Sequence, residues 1–199
     1  MQRDEYVRVS TILSRFESYD HIDKELLEAK AKIGTNVHQA IIQDCADGFY
    51  ILETERAKAY FESYRMWKDK QEAKPVITQV PRLYCDEVML QGECDGLLNE
   101  VLIDWKCSAN AHEENWSRQA HMYWYLLTQN GYKPQDVMRW INLRHKKSIK
   151  YGKAGMNTVK YYPLEPKVYT FKFDEDVLQE CLNEVICYYE EKACAMDLT

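Results

Sequence analysis

The stretch GECDGLLNEVLIDWK, residues 92–106, predicts two short β-strands joined by a tight turn at Asn99-Glu100. Side chains at positions i and i+2 of a strand share one face, so Asp104 and Lys106 should project together while their neighbours pack on the other face. Pairing about the turn brings Asp95 close to Asp104. The stretch therefore predicts two carboxylates and one ammonium group on one face of a sheet.

Two carboxylates beside an ammonium group are what a metal-dependent phosphodiesterase site needs. Carboxylate oxygens are hard ligands that bind Mg²⁺ or Mn²⁺. A bound metal lowers the pKa of a water ligand and stabilises charge on the scissile phosphate. The lysine would orient that water or neutralise the developing charge. The alternative interpretation is a salt bridge between exposed strand charges, because a lone Asp-x-Lys tripeptide arises by chance in many chains.

Helical patterns surround this β-rich centre. We predict helices over 23–32, 34–48, 53–71 and 114–130, strands within 76–106 and over 137–143 and 168–173, and a last helix after Asp174. Ser10 and Asp174 are expected to cap the first and last helices. The order predicts an α/β fold with a central mixed β-sheet flanked by helices. We expect a single domain over 1–199, with residues 1–33 as an N-terminal helical lead.

Composition excludes several classes of protein. The chain has 199 residues and a formal net charge of -6, from 26 Lys and Arg against 32 Asp and Glu, which by itself disfavours a nucleic-acid partner. No apolar run approaches the roughly 18–20 residues of a membrane span, so no membrane partner is expected. The first residues, MQRDEYVRVSTIL, lack the pattern of a secretory signal, and the seven cysteines are expected to be reduced thiols in a cytoplasmic compartment.

One segment departs from the acidic balance. From Val137 to Leu164 there is no Asp or Glu, and we expect a basic hairpin or loop over 144–162. Its candidate nucleic-acid-binding residues are Arg144, Lys146, Lys147, Lys150 and Lys153. Tyrosines at 151, 161 and 162 lie between the cations and could stack on unpaired bases. The pattern indicates a phosphate-binding arm; a solvated basic loop without a partner is the alternative.

Five short motifs occur in one order along the chain. They are Gly34-x-x-x-His38, Glu87, Gly92-x-x-Asp95-Gly96, Asp104-x-Lys106 and Gln119-x-x-x-Tyr123. Together they resemble the PD-(D/E)XK nuclease superfamily, in the branch of RecB-type nuclease domains and lambda-like phage exonucleases. The resemblance runs from about Val9 to Leu127 and implies a restriction-endonuclease-like core.

The resemblance implies a metal site. His38, Asp95, Asp104 and the backbone carbonyl of Trp105 would ligate one or two Mg²⁺ or Mn²⁺ ions. Two alternatives stay open for these residues. A histidine on an apolar helix face is often a core residue, and Glu93 shares strand parity with Asp95 and could be confused with it.

The remaining catalytic candidates surround that metal site. By resemblance, Lys106 would position or activate the attacking water. Glu87 would lie at the edge of the site, on a second metal or on water. Gln119 and Tyr123 would fix the carboxylates and the lysine or contact the DNA backbone, although Tyr123 could equally be a core residue.

The resemblance implies a metal-dependent deoxyribonuclease, with an exonuclease favoured, acting in recombination, repair or replication of phage-type DNA. Its partners would be linear single- or double-stranded DNA, a single-strand-annealing or recombination protein, and further copies of the chain, such as the trimer of lambda-like exonucleases. It would act in the cytoplasm of a bacterial or phage-infected cell. The alternatives are a structure-specific endonuclease on the same fold and a catalytically inactive DNA- or protein-binding module.

No iron–sulfur cluster is expected, although some members of the superfamily carry one. Those members place one cysteine before the histidine helix and three close together near the C-terminus. Here no cysteine precedes Cys45, and Cys181, Cys187 and Cys194 lie six and seven positions apart.

Overall fold

The computed structural model of the chain describes residues 5–17, 23–71, 77–151 and 157–196. In chain order the elements are β1 (Val7–Arg8), α1 (Val9–Phe16), α2 (Lys24–Cys45), α3 (Glu55–Lys68), β2 (Ile77–Thr78), β3 (Leu83–Cys85), β4 (Leu90–Gly92), β5 (Gly96–Leu98), β6 (Val101–Lys106), α4 (Glu113–Gln129), β7 (Val137–Tyr151), β8 (Asn157–Lys172) and α5 (Glu175–Met196). None of the helices in these ranges combines the length and apolar character that crossing a bilayer requires.

The strands of the described ranges form two mixed sheets. The larger sheet has the order β2-β5-β6-β7-β8, and β6 and β7 are its parallel pair. The smaller sheet has the order β1-β4-β3, with β1 parallel to β4. Helices α2 and α3 cover one face of the larger sheet, and α1, α4, α5 and the smaller sheet cover the other. The predicted α/β class, a central mixed sheet flanked by helices, is confirmed.

Strand β6 lies between the two hydrophobic cores, and its side chains alternate between them. Ile103 and Trp105 belong to the core shared with α2 and α3. Leu102 belongs to the core shared with α4 and α5. Asp104 and Lys106 follow Leu102 on that second face, since residues two apart in a strand share a face. The sequence pattern predicted this division correctly.

The hairpin in the quoted stretch forms where it was predicted. Asn99 and Glu100 both adopt positive φ, 50° and 65°, as a two-residue turn between tightly paired strands requires. Gly96 pairs with Ile103 in the resulting antiparallel register. Asp95, one residue before Gly96, therefore lies level with Asp104 at the end of β6.

The two glycines of this stretch are packing requirements. A Cβ on Gly92 would lie 2.8 Å from Tyr123 Cε1, because α4 crosses closely over the end of β4. Gly96 has φ +154°, and a Cβ there would lie 2.8 Å from the carbonyl oxygen of Thr78 on β2. Both glycines let neighbouring elements approach the segment that carries Asp95.

Several predicted boundaries were wrong. The helices predicted over 23–32 and 34–48 are one helix, α2, because a mid-helix glycine such as Gly34 costs only about 1 kcal/mol relative to alanine. Ser10 does not cap α1, which begins at Val9 after Arg8; the pairing of β1 with β4 holds Arg8 extended and sets the helix start. Asp174 does cap α5, accepting from the Asp176 amide at 3.0 Å.

Two further segments differ from the prediction in extent. Within 76–106, where strands were predicted, β4 and β5 belong to different sheets, and the residues between them leave both ladders. The strands predicted over 137–143 and 168–173 continue into the basic segment, which pairs as an antiparallel ladder out to Tyr151 and Asn157. Residue 76, predicted to begin a strand, lies outside the described residues.

The glycine geometry predicts opposite effects for two substitutions. Gly96→Ala should lower the free energy of unfolding by about 2–4 kcal/mol, since the new methyl group meets β2 at a strained φ. Gly34→Ala is the matched control. A methyl group on Gly34 would have no neighbouring atom within 4 Å beyond its own helix backbone, so α2 should gain about 0.5–1 kcal/mol. Urea unfolding of both variants measures this, and equal effects would contradict the assigned packing.

Candidate functional site

Side chains from four parts of the chain meet at the carboxyl end of β6. Strand β6 contributes Asp104 and Lys106, and the segment before β5 contributes Asp95. Helix α2 brings His38 from one side of the sheet, and α4 brings Gln119 from the other. The contacts among these five side chains define what is called below the acidic cluster.

The first half of the acidic cluster is built around the peptide groups of Trp105. Asp95 Oδ2 accepts a hydrogen bond from the Trp105 amide at 2.7 Å. His38 Nε2 lies 2.7 Å from the Trp105 carbonyl oxygen, and His38 Nδ1 lies 3.2 Å from Asp95 Oδ1. Both ring nitrogens thus face acceptors, which favours a doubly protonated imidazolium. His38, Asp95 and the Trp105 carbonyl, predicted as a set, do lie together.

The second half of the acidic cluster holds the lysine. Lys106 Nζ lies 2.7 Å from Asp104 Oδ2 and donates to Gln119 Oε1 at 2.7 Å. Gln119 Oε1 also accepts from Trp140 Nε1 at 3.2 Å, and Gln119 Nε2 donates to the Tyr123 hydroxyl at 3.4 Å. Both the oxygen and the nitrogen of the Gln119 amide therefore have partners that hold it in place. Lys106, which donates to this oxygen, is held in place with it.

Burial and mutual charge shift the pKa values in the acidic cluster. Burial disfavours the charged ring of His38, but the carboxylates of Asp95 and Asp104 outweigh it and raise the pKa to about 9. Burial raises the pKa of Asp104 to about 6, because the opposing effect of the Lys106 charge is smaller than that of burial and Asp95 adds a further rise. Burial opposes ionisation of Asp95 too, yet His38 and the Trp105 amide lower its pKa overall. The two carboxylates therefore differ sharply in acidity.

The donor set fits a hard divalent cation. Asp104 is 3% exposed, and its Oδ2 accepts no hydrogen bond of acceptable geometry despite its contact with Lys106. Carboxylate and carbonyl oxygens are hard ligands that suit Mg²⁺ and Mn²⁺, and the imidazole nitrogen is the softest donor of the set. Within the described ranges, however, no three His, Cys, Asp or Glu side chains are already arranged around a metal position.

Two predicted residues lie elsewhere or have other partners. Glu87 is exposed in the turn between β3 and β4 and lines a surface cavity with Gln129. Gln129 is ten positions beyond Gln119 on α4, about 15 Å along the helix axis, so Glu87 is not part of the acidic cluster. Glu93 is exposed and pairs with Arg82 at 2.7 Å, so the structure places Asp95 in the cluster and Glu93 outside it.

Tyr123 combines the two roles that were considered for it. Its hydroxyl reaches Gln119, while its ring is 7% exposed and packs in the core beside Gly92. Burial raises the pKa of Tyr123, so this hydroxyl stays protonated at neutral pH.

Sequence reasoning missed Trp140. Its indole is fully buried, its Nε1 donates to Gln119, and Lys106 Nζ lies 5.9 Å from its ring centroid. Trp140 pairs with Asp104 in the parallel β6–β7 register. That pairing was the available signal, but it joins positions 36 residues apart in the chain and no local pattern indicates it.

The basic segment lies on β7 and β8. Arg144, Lys146, Lys147 and Lys150 follow one another along β7 in its ladder with β8. Lys153 lies outside the described residues. All seven cysteines are free thiols, and Cys187 and Cys194 are exposed on α5.

Comparisons with known proteins give a fold likeness. No protein-family model matches the chain, and no curated protein matches it in sequence. The structure of LHK-Exo in complex with dAMP matches at a TM-score of 0.52 and 12% identity, covering 98% of this chain and 92% of that chain. LHK-Exo is an alkaline exonuclease from Laribacter hongkongensis, and a second structure of it matches at 0.49 and 14% identity over 98% and 95%.

A phage-related exonuclease from Haemophilus somnus 129PT also matches, with a TM-score of 0.45 and 14% identity over 96% of each chain. The likeness to the dAMP complex of LHK-Exo spans nearly all of both chains. It shows that this chain has the fold of that exonuclease. The expected resemblance to an exonuclease is thereby confirmed for the fold alone.

The raised pKa of Asp104 predicts a pH-dependent loss of stability in metal-free protein. The folded chain holds this proton more tightly than the unfolded chain, so stability falls as the pH rises from about 4 through 6. The Asp104→Asn variant has no carboxyl group to ionise at this position. Its free energy of unfolding should therefore rise relative to that of the wild type by up to about 3 kcal/mol between pH 4 and 7. Urea unfolding in EDTA measures it, with the exposed Glu100→Gln as control; parallel profiles would contradict the assignment.

Proposed function

We propose that this protein is a metal-dependent deoxyribonuclease that hydrolyses phosphodiester bonds, and that it acts as an exonuclease. The observation that carries the proposal is the acidic cluster at the end of β6, where a buried and a partly buried carboxylate of unlike acidity lie in one cluster with a tethered ammonium group. Perturbed carboxyl groups beside a fixed cation are typical of catalytic sites. The exonuclease fold supports the choice of substrate class.

The proposed ligands for Mg²⁺ or Mn²⁺ are Asp95, Asp104, the Trp105 carbonyl and His38, for one or two ions. When bound, the metal would supply an activated water and charge stabilisation at the phosphate. Asp95 and His38 would hold each other and the Trp105 peptide in place around it, as their present contacts do. His38 would have to give up its Nε2 proton before that nitrogen could serve as a ligand.

Lys106 is proposed to act on the reacting phosphate or on the attacking water. Its ammonium group lies 2.7 Å from Asp104 Oδ2 and donates to Gln119 Oε1 at 2.7 Å, and an ammonium group has three N–H donors, so donor capacity remains for a substrate oxygen. A charged donor fixed in this way stabilises developing negative charge without reorganising during the reaction. Gln119 and Trp140 are positioning residues for this lysine.

The broader setting belongs to the same proposal. Linear DNA is the proposed substrate, with a role in recombination, repair or replication of phage-type DNA in the cytoplasm. We also propose a single nuclease domain, a recombination partner protein and self-association, none of which the acidic cluster itself addresses. Glu87, in the turn between β3 and β4 beside the far end of α4, is not needed for this mechanism.

The activity is tested with linear and covalently closed circular duplex DNA, each with Mg²⁺, Mn²⁺ or EDTA. The proposal expects degradation of the linear form alone, in the presence of metal alone. Cutting of both forms would identify an endonuclease on the same fold. Binding without cutting in any metal would identify an inactive module and overturn the proposal.

Asp104→Ala and Lys106→Ala should each lower the rate of DNA hydrolysis by at least about 100-fold. The first change removes a proposed metal ligand, and the second removes the only cation of the cluster that contacts Asp104 among the described residues. Circular dichroism should show both variants folded. Glu93→Ala is the matched control, since this neighbouring carboxylate lies outside the cluster; wild-type activity in Asp104→Ala or Lys106→Ala would refute the site.

Trp140→Phe should lower kcat by roughly 10-fold while leaving KM for DNA unchanged, because it removes the N–H that fixes Gln119 but no group that contacts substrate. Trp124→Phe is the matched control. It loses a comparable N–H, bonded to the Gln135 carbonyl at 3.2 Å, beside the Asn99-Glu100 turn at the other end of β6 from the acidic cluster. Equal kcat values for the two variants would show that Trp140 is only a core residue.

A further inference from the structure

The paired strands β7 and β8 carry the basic segment on a two-stranded ladder. Residues 144–151 of β7 pair with 157–164 of β8, from Arg144 opposite Leu164 to Tyr151 opposite Asn157. This ladder is called the arm below. Most of its side chains are exposed, with Tyr151 at 81%, so the arm has two faces that neighbouring elements leave largely uncovered.

The register sorts the cations of the arm onto different faces. Directly opposite residues of an antiparallel pair share a face, and successive residues alternate. One face carries Arg144, Lys146, Lys150 and Lys160, with Ser148, Thr158 and Tyr162 among them. The other carries Lys147 among the largely apolar Ile149, Tyr151, Val159 and Tyr161. Four cations therefore share one face, called the basic face, and Lys147 is alone on the other.

The basic face lies on the same side of the sheet as the acidic cluster. Trp140 and Asn142 of β7 pair with Asp104 and Lys106 of β6. Arg144, Lys146 and Lys150 follow Asn142 on β7 by two, four and eight residues, so they lie on the same face as Asn142. The irregularity in the ladder after Asn142 does not change this, because its extra residue is on β8.

The opposite face of the arm turns towards α3. His145 lies there, 4.6 Å from the ring of Tyr60, and accepts a hydrogen bond from Arg56 at 3.0 Å. The acid that follows the arm, Glu165, pairs with Lys70 just beyond the end of α3. Neither of these contacts involves the basic face.

The cations of the basic face have no carboxylate partner within the described part of the chain. Among the described residues, none of the four forms an ion pair, although the chain as a whole is acidic. Lys167, opposite Asn142, continues the same face towards the acidic cluster. An uncompensated row of cations on an acidic protein is complementary to a polyanion.

We propose that the basic face of the arm binds the phosphodiester backbone of the DNA strand that leads away from the acidic cluster, and that the Lys147 face does not. This inference rests on the proposed nuclease function and adds the path of the substrate to it. At about 3.4 Å per strand residue, Lys146 and Lys150 lie about 14 and 27 Å along β7 from Asn142. Duplex DNA places a phosphate every 3.4 Å of rise on each strand, so these lysines reach phosphates roughly four and eight nucleotides from the reacting bond.

The experiment compares adjacent lysines on opposite faces. Lys146→Ala should weaken binding of a fluorescent 20-base-pair duplex in EDTA several-fold and reduce the slope of log affinity against log salt by about 1. Lys147→Ala removes the same charge one residue away and should change neither quantity. The triple variant of Lys146, Lys150 and Lys160 to alanine should lower the slope by about 3. Equal effects of Lys146→Ala and Lys147→Ala would overturn the proposal.

A small substrate separates this proposal from the nuclease function. The 4-nitrophenyl ester of thymidine 5′-phosphate is too short to reach Lys146, so every arm variant should hydrolyse it at the wild-type rate with Mn²⁺. Retained hydrolysis also shows that the triple variant is folded. If wild-type protein cleaves neither the ester nor DNA, the nuclease function fails; if it cleaves both and the two single variants bind DNA alike, only the arm proposal fails.

Discussion

Trp105 joins the hydrophobic core of the protein to its candidate site. Its indole packs edge-on against Tyr64 and Trp67, with ring centroids 5.2 and 4.9 Å away. Its amide donates to Asp95, and its carbonyl contacts His38. Because a buried indole cannot rotate without breaking this aromatic packing, both peptide groups of Trp105 are held in fixed directions. The position of two predicted metal ligands therefore depends on the core behind them.

The opposite face of β6 carries Asp104 and Lys106, whose charges destabilise the fold when they are buried. Asp104 is buried where only Lys106 compensates its charge closely, and this burial keeps the pKa of the carboxyl raised. A buried charge that is incompletely paired destabilises a fold. The Asp104 carboxylate has a function at this position if it binds a metal ion, as proposed above. Active sites commonly contain destabilising groups that function requires.

Charge is separated along the sheet. The acidic cluster occupies the end of β6, and the four cations of the basic face lie along the arm on the same side. The net charge of -6 sums over both regions, so it does not reveal that anionic and cationic groups are separated. The proposed metal ligands and the proposed path for DNA therefore lie on one side of the sheet.

Much of the fold followed from local patterns. The turn at Asn99-Glu100, the alternation along β6 and the helix after it all depend on residues within a few positions of one another, and these predictions were correct. Boundaries were less predictable where distant contacts decided them. The start of α1 depends on the pairing of β1 with β4, some eighty residues away, and no motif near Ser10 contains that information.

The sequence by itself determined which groups could form the site: two carboxylates, a lysine, a histidine and a glutamine in a recognisable order. It also determined that Asp104 and Lys106 share a face, because strand alternation is a local property. Only the tertiary structure decided that Glu87 lies outside the cluster, that Trp140 holds Gln119, and that the basic face lies on the same side of the sheet as the acidic cluster. Those outcomes depend on strand register and helix placement, which are set by packing between distant parts of the chain.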